Sequence, residues 1–192
     1  NSIEEFKKNT LNLLPERFSV IGFSMGGFVA LNLAIEEQER VEELILVGTN
    51  ARSVSKDRKL LLKKSLSELN NENFVSKFSS SSFYSYFAEH NKTNYEYLNL
   101  IKEMVKNLGL DCLKKQTQAI LERPLLVHLL SKIKSRCLII SGDLDNLSTK
   151  EMNEELSNNI INSELCYIKN SGHFVMIEEE KNFNEIILNW LK

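Results

Sequence analysis

The chain has 192 residues, of which 42% are hydrophobic, and its 24 basic and 26 acidic side chains give a formal net charge of −2. This length and composition predict one domain with a sizeable core and room for an inserted subdomain. The near balance of charge favours neither a nucleic acid nor an anionic membrane as a partner, and no apolar run reaches the roughly 18 residues of a membrane span.

The three cysteines, Cys112, Cys137 and Cys166, are an odd number with no closely spaced pair. Cys137 and Cys166 lie in apolar runs that predict strands. The cysteines therefore predict buried free thiols, with neither a disulfide framework nor a zinc site. We expect a reducing, cytoplasmic compartment.

The first 50 residues alternate between helical and strand patterns. Ser2 and Glu5 have capping-box spacing and predict a short helix that Pro15 ends. Residues 18–22 predict a buried strand, residues 25–40 a helix, and residues 43–48 a second strand. A strand, helix and strand at this spacing form a βαβ unit, so the two strands should be parallel.

Residues 50–134 differ in character, because glycine is nearly absent and serine, lysine and asparagine become frequent. Helical periodicity recurs at 56–69, 95–108 and 111–122, with Gly109 as a helix C-cap, whereas 79–82 predicts a loop. We interpret this stretch, called the insertion below, as helical and placed between two strands.

Residues 136–142 resume the strand pattern and residues 165–168 predict a fourth strand. Between them a helix is predicted over 148–160, with Ser148 and Glu151 at capping-box spacing, and residues 178–192 predict an amphipathic closing helix. Six of the seven glycines lie at or just beyond the carboxyl end of a predicted strand. In open parallel sheets, that edge is where ligands bind.

The segment Gly22-Phe23-Ser24-Met25-Gly26 fits the Gly-x-Ser-x-Gly pattern and falls between a predicted strand and a predicted helix. A nucleophilic serine on such a sharp turn needs small residues two positions before and after it, or their side chains collide. The alternative is a structural turn or a phosphate-binding loop. The strand-to-helix context favours Ser24 as a nucleophile.

A serine hydroxyl needs a base, and the chain has three histidines. His128 lies in an apolar stretch and is expected to pack in the core or cap a helix, and His90 is expected to be exposed in the insertion. His173 follows Ser171 and Gly172 just after the fourth predicted strand, on the same sheet edge as Ser24, and is the predicted base.

The base needs a carboxylate that fixes its tautomer, and two aspartates follow the third predicted strand. We favour Asp145, three residues beyond Gly142, because it clears the strand end and can reach His173. Asp143 is the alternative; its other role would be to cap the turn. The order Ser24, Asp145, His173 is the order found in α/β-hydrolases.

The chain resembles an α/β-hydrolase-fold esterase over nearly its whole length. The resemblance rests on four segments: GFSMGG, ELILVGTNAR, LIISGDLDNLS and IKNSGHFVMIEEE. The resemblance implies a parallel sheet whose four strands here are the family's strands five to eight, with a core formed by residues 1–49 and 135–192. It also implies that residues 50–134 are the family's helical cap. Phe83, Tyr84, Phe87 and Met104 of the cap would then line the acyl pocket or, alternatively, only pack the cap on itself.

A serine nucleophile in this family implies hydrolysis of a small carboxylic ester, lactone or thioester without a metal or organic cofactor. The Met25 backbone N–H would be one oxyanion-hole donor. The family's second donor follows strand three, a segment that this sequence, beginning at Asn1, does not contain. The alternative is therefore a catalytically impaired fragment or a non-enzymatic binding module, which could pair with a second copy or with the missing segment.

Overall fold

The computed structural model describes residues 2–192, and the prediction that involved Asn1 lies outside them. Its centre is a sheet of four parallel strands in the order β1-β2-β3-β4. The strands are β1 (Phe18–Phe23), β2 (Val41–Val47), β3 (Arg136–Gly142) and β4 (Ser163–Ile168). This is the predicted parallel α/β sheet, and its strands agree with the predicted ones to within two residues.

Helices occupy the connections between the strands and both ends of the described chain. They are α1 (Ile3–Leu11), α2 (Met25–Glu36), α3 (Lys56–Ser67), α4 (Phe74–Tyr86), α5 (Tyr95–Leu108), α6 (Leu110–Glu122), α7 (Lys150–Asn159), α8 (Val175–Glu178) and α9 (Glu180–Trp190), with short 3-10 helices at Glu89–Asn91 and Val127–Lys132. None of the helices in residues 2–192 is both long and apolar enough to cross a bilayer.

Successive residues of the central strands pack on opposite faces of the sheet. Leu44 and Leu46 of β2 join a core that includes Phe28 and Leu31 of α2. Ile45 and Val47 alternate with them, and join a second core that includes Trp190 of α9. Because both faces are covered, the strands are nearly continuous apolar runs, as parallel sheets require.

The insertion between β2 and β3 contains α3 to α6 and both 3-10 helices. Gly109 ends α5 with a φ of +77°, as predicted for a C-cap. The loop predicted at 79–82 is wrong, because these residues lie inside α4. A third apolar cluster explains this, since Phe83 and Phe87 are buried against Ile101 and Val105 of α5 and so hold α4 in place.

Ser2 caps α1 as predicted, because its hydroxyl accepts the Glu5 N–H at 3.2 Å. The capping box predicted at Ser148 is wrong, since α7 begins at Lys150 after Thr149. The Ser148 hydroxyl instead donates to the Thr49 carbonyl at 2.6 Å. Ser148 therefore joins the turn after β3 to the end of β2.

Candidate active site

Ser24 lies at the turn between β1 and α2 in a conformation that L-residues rarely adopt, with φ +50° and ψ −113°. Its N–H donates to the Val47 carbonyl at 2.9 Å, and its carbonyl accepts the Thr49 hydroxyl at 2.8 Å. Strained backbone of this kind persists where the surrounding structure over-determines it, and it is concentrated at functional sites.

The glycines of the turn contribute unequally. A Cβ on Gly22 would lie 2.5 Å from the Gly26 carbonyl oxygen, and one on Gly27 would lie 2.7 Å from the Thr49 side chain. A Cβ on Gly26 would meet nothing within 4 Å. The expectation that both motif glycines must be small is therefore correct for Gly22 and wrong for Gly26, and Gly27 provides the second close approach.

His173 is buried, with 5% of its surface exposed, and its ring joins two other side chains. Its Nε2 lies 3.0 Å from the Ser24 Oγ, and its Nδ1 lies 2.8 Å from the Asp145 Oδ2. The ring also packs against Phe23 and Tyr86, with centroids 4.9 and 5.6 Å apart. The structure thus brings together the three side chains that the sequence singled out.

Asp145 makes two kinds of contact with its two carboxylate oxygens. Oδ2 faces His173, while Oδ1 accepts the N–H groups of Leu147 and Ser148 at 2.7 and 2.9 Å. Those bonds fix the carboxylate, so its orientation toward the imidazole is set by the turn itself. Asp145 therefore makes both the contact with the histidine and the turn-capping bonds.

Asp143 does not take the place of Asp145. Its N–H donates to the Ile168 carbonyl at 3.0 Å. Its Oδ1 is buried and has no hydrogen-bond partner within residues 2–192, so the turn-capping role considered for this side chain is wrong. The other two histidines, His90 and His128, are both exposed, which contradicts the core position expected for His128, and His128 lies within the 3-10 helix Val127–Lys132 and not at its cap.

The loop that carries His173 is fixed to the insertion. The His173 N–H donates to the Tyr86 carbonyl at 2.7 Å. One oxygen of Glu178 accepts the Gly172 N–H at 2.7 Å, and the other accepts the Ala88 N–H at 2.8 Å. Glu178 was not recognised from the sequence, where it is one of three successive glutamates without a distinguishing pattern.

A cavity of about 470 Å³ opens beside Ser24 and His173. Met25 and Thr49 lie in its wall, and the insertion contributes Asn50 and apolar side chains that include Leu62, Phe78, Tyr86 and Ile120. The four side chains expected there are not among its lining residues: Phe83 and Phe87 are buried within the insertion, and Tyr84 and Met104 are 63% and 47% exposed. Phe83 and Phe87 pack mainly against other residues of the insertion, which was the alternative, but Phe87 also stacks on Phe174 of the core, with ring centroids 5.5 Å apart.

Met25 is the first residue of α2 and lines this cavity. The first N–H groups of an α-helix have no intrahelical acceptor, so the Met25 N–H is available to an oxygen beside Ser24. Across residues 2–192, no group of three His, Cys, Asp or Glu side chains is arranged to hold a metal ion. The described cysteines are all free; Cys137 is buried, but Cys166 is only half-buried, contrary to expectation.

Sequence comparison relates the chain to esterases over a short segment. It is 50% identical over 52 residues to pimeloyl-acyl-carrier-protein methyl ester esterase from Legionella pneumophila, which is 27% of this chain and 22% of that protein. The esterase of the same name from Nitrosomonas europaea is 41% identical over 49 residues, or 26% and 19%. The matched segment thus spans about a fifth of these curated relatives.

Structure comparison covers the whole chain. An esterase from Thermogutta terrifontis superposes with a TM-score of 0.88 at 23% identity, over 100% of this chain and 72% of the other. An enol-lactonase from Burkholderia xenovorans gives a TM-score of 0.87 at 21% identity, over 100% and 73%. At these identities the likeness establishes the fold.

The sequence model of the α/β-hydrolase fold matches residues 3–180, which is most of the chain. This match agrees with the parallel sheet, and with the sharp turn at Ser24 between β1 and α2. The chain belongs to the α/β-hydrolase fold family.

Proposed function

We propose that this protein is a serine hydrolase that cleaves a small carboxylic ester through an acyl-enzyme intermediate on Ser24. The observation that carries the proposal is the continuous contact from Ser24 Oγ through the His173 imidazole to Asp145, at 3.0 and 2.8 Å, beside a cavity. The curated relatives are named as methyl ester esterases, which supports the same reaction class.

The proposed reaction begins when Ser24 Oγ attacks the ester carbonyl carbon and passes its proton to His173 Nε2. Asp145 holds the imidazole in the tautomer with a proton on Nδ1 and stabilises the imidazolium. The carbonyl oxygen becomes an oxyanion, for which the Met25 N–H is the proposed donor. The carbon–oxygen bond of the ester then breaks, and the leaving alcohol takes the proton from His173.

Deacylation repeats these steps with water as the nucleophile. Water gives a proton to His173 as its oxygen attacks the acyl carbon, and the proton returns to Ser24 Oγ when the acid leaves. The side chains named here supply each proton transfer of this sequence, so the proposed reaction needs no metal or organic cofactor. Lactones and thioesters could react by the same steps.

We also propose that residues 50–134 act as a cap over a hydrolase core formed by residues 1–49 and 135–192. The apolar side chains that the insertion contributes to the cavity wall support this role. So do the hydrogen bond from the His173 N–H to the Tyr86 carbonyl and the bond that Glu178 accepts from the Ala88 N–H. A cap of this kind would exclude water from the acyl group and select substrates by size.

The test is hydrolysis of p-nitrophenyl butyrate by the purified protein and by its Ser24→Ala variant. We expect turnover that the substitution lowers by several orders of magnitude while the circular dichroism spectrum stays unchanged. Turnover that persists in the Ser24→Ala variant would contradict the proposal. An absence of turnover and of Ser24 acylation would favour the alternative, a non-enzymatic binding module.

A further inference from the structure

The cavity beside Ser24 carries an excess of positive charge. Its charged lining residues are the arginines Arg52, Arg58 and Arg123, and within residues 2–192 no aspartate or glutamate lines it. The chain as a whole has a net charge of −2, so a general excess of basic residues does not explain this arrangement. A cavity lined by charge of one sign attracts a ligand of the opposite sign.

Arg52 has its charge balanced within the protein. Its Nε lies 2.8 Å from Glu155 Oε2, and its Nη2 lies 2.7 Å from Glu151 Oε1. Both carboxylates belong to α7, so this pair ties the end of β2 to that helix. The ion pairs with α7 therefore explain why a charged arginine lies at position 52.

Arg123 has no comparable partner, although it is more deeply placed than Arg58. Its Nη2 donates to Asn50 Oδ1 at 3.1 Å, and its guanidinium lies 5.1 Å from the centre of the Phe28 ring. Within residues 2–192, its Nε is buried without an acceptor and no carboxylate oxygen lies within ion-pair distance. Burial lowers the pKa of Arg123 to about 10.

A desolvated arginine without a carboxylate is costly, and the cost falls when an anion binds. The contacts with Asn50 and Phe28 hold the guanidinium at the cavity wall. Its remaining N–H groups can donate to an oxyanion, and the geometry of the guanidinium matches a carboxylate particularly well. Arg58, which is exposed on α3 and lines the same cavity, adds positive potential.

We infer that Arg123 binds a free carboxylate on the acyl part of the substrate, so that the preferred substrates are monoesters of dicarboxylic acids. This inference rests on the proposed function, because Ser24 must attack the ester at the other end of the same molecule. The cavity thus has two ends, one for the ester carbonyl and one for the carboxylate.

Binding tests the inference separately from catalysis. In the Ser24→Ala background, calorimetry would compare monomethyl adipate with methyl hexanoate, which has the same chain but a methyl group in place of the carboxylate. We expect the acid ester to bind about 10-fold more tightly or better, as hydrogen bonds to a charged group allow. Arg123→Gln in this background should abolish the difference.

Two further variants make the comparison specific. Arg17→Gln removes an arginine that is 68% exposed and does not line the cavity, and it should keep the preference. Arg123→Lys retains the charge but loses the planar fork, and it should restore part of the preference. If Arg123→Gln does not fold, as judged by circular dichroism, Arg123→Lys carries the test, with a reduced preference expected.

Turnover by the wild-type protein then separates the inferred carboxylate binding by Arg123 from the proposed hydrolase activity. We expect a higher kcat/KM for monomethyl adipate than for methyl hexanoate, measured by methanol release. Equal affinity of the Ser24→Ala protein for the two esters would overturn the inference and leave the proposed function intact. Preferential binding without hydrolysis of either ester would support the carboxylate site and contradict the proposed function.

Discussion

The carboxylate of Glu178 accepts the backbone N–H of Gly172, the residue before His173, at 2.7 Å. Its other oxygen accepts the Ala88 N–H and the Asn91 side-chain amide, both at 2.8 Å. One side chain thus connects the loop that carries the histidine with the insertion. The proposed base is positioned by a contact outside the three side chains that would perform the chemistry.

Glu178→Gln should disturb this connection. Glutamine has one acceptor oxygen, so its NH₂ group must face a backbone or side-chain N–H, and leaving such a buried group unsatisfied costs about 1–3 kcal/mol. We expect kcat for p-nitrophenyl butyrate to fall about 10-fold or more, with a smaller change in KM. Glu180→Gln, on an exposed residue two positions away, is the matched control and should behave like the wild type. Equal rates in the two variants would show that Glu178 does not position the loop.

Asp145→Asn and Asp143→Asn should separate the two aspartates after β3. At position 145 the amide would favour the wrong imidazole tautomer, and in a serine protease triad the equivalent change costs about 10⁴-fold in kcat. At position 143 the side chain has no contact with His173, so kcat should stay near that of the wild type. Ester hydrolysis by both variants checks this, and a larger loss at position 143 would reverse the assignment.

Gly22→Ala and Gly26→Ala should have opposite effects on stability. The Cβ at position 22 would meet backbone atoms that cannot move aside, and we expect the free energy of unfolding to fall by about 1–3 kcal/mol or more. The Cβ at position 26 meets open space on a helix, where alanine is favoured over glycine by up to about 1 kcal/mol. Urea denaturation measures both, and equal destabilisation would contradict the geometry of the turn.

The sequence predicted the sheet, and that Ser24, Asp145 and His173 lie together, because both depend on local patterns. The strands are short apolar runs, and each of Ser24, Asp145 and His173 lies within five residues of the end of one of them. Parallel strands bring their carboxyl ends to one edge, so three positions far apart in sequence could be placed together before the structure was known.

The insertion was predicted less well because packing decides its structure. The serines of α4 favour a loop by propensity, yet the Ser79 hydroxyl bonds to the Val75 carbonyl within the helix, and Phe83 and Phe87 hold the helix against α5. The prediction of which residues line the cavity was wrong for the same reason, since periodicity does not tell which apolar face of a helix turns toward the site. Arg123 and Glu178 have no sequence signal beyond their charge.

The cysteines should differ in reactivity toward iodoacetamide. The thiolate is the reactive form, and burial raises the pKa of Cys137 to about 12, so this thiol stays protonated near neutral pH. Burial also raises the pKa of the half-buried Cys166. We expect peptide mass spectrometry to find Cys137 alkylated only after unfolding, and later than Cys112. Rapid alkylation of Cys137 in the folded protein would contradict the packing of β3.

The central claim, that Ser24 is an activated nucleophile, is tested most directly by labelling with a fluorophosphonate probe. The purified protein, Ser24→Ala and His173→Ala would be treated in parallel, and the modified residue located by peptide mass spectrometry. The account predicts one adduct, on Ser24, that is lost in Ser24→Ala and strongly slowed in His173→Ala, because the hydroxyl needs its base. An adduct on Ser141 or Ser171 instead, or a Ser24 that stays unlabelled in the folded protein, would contradict it.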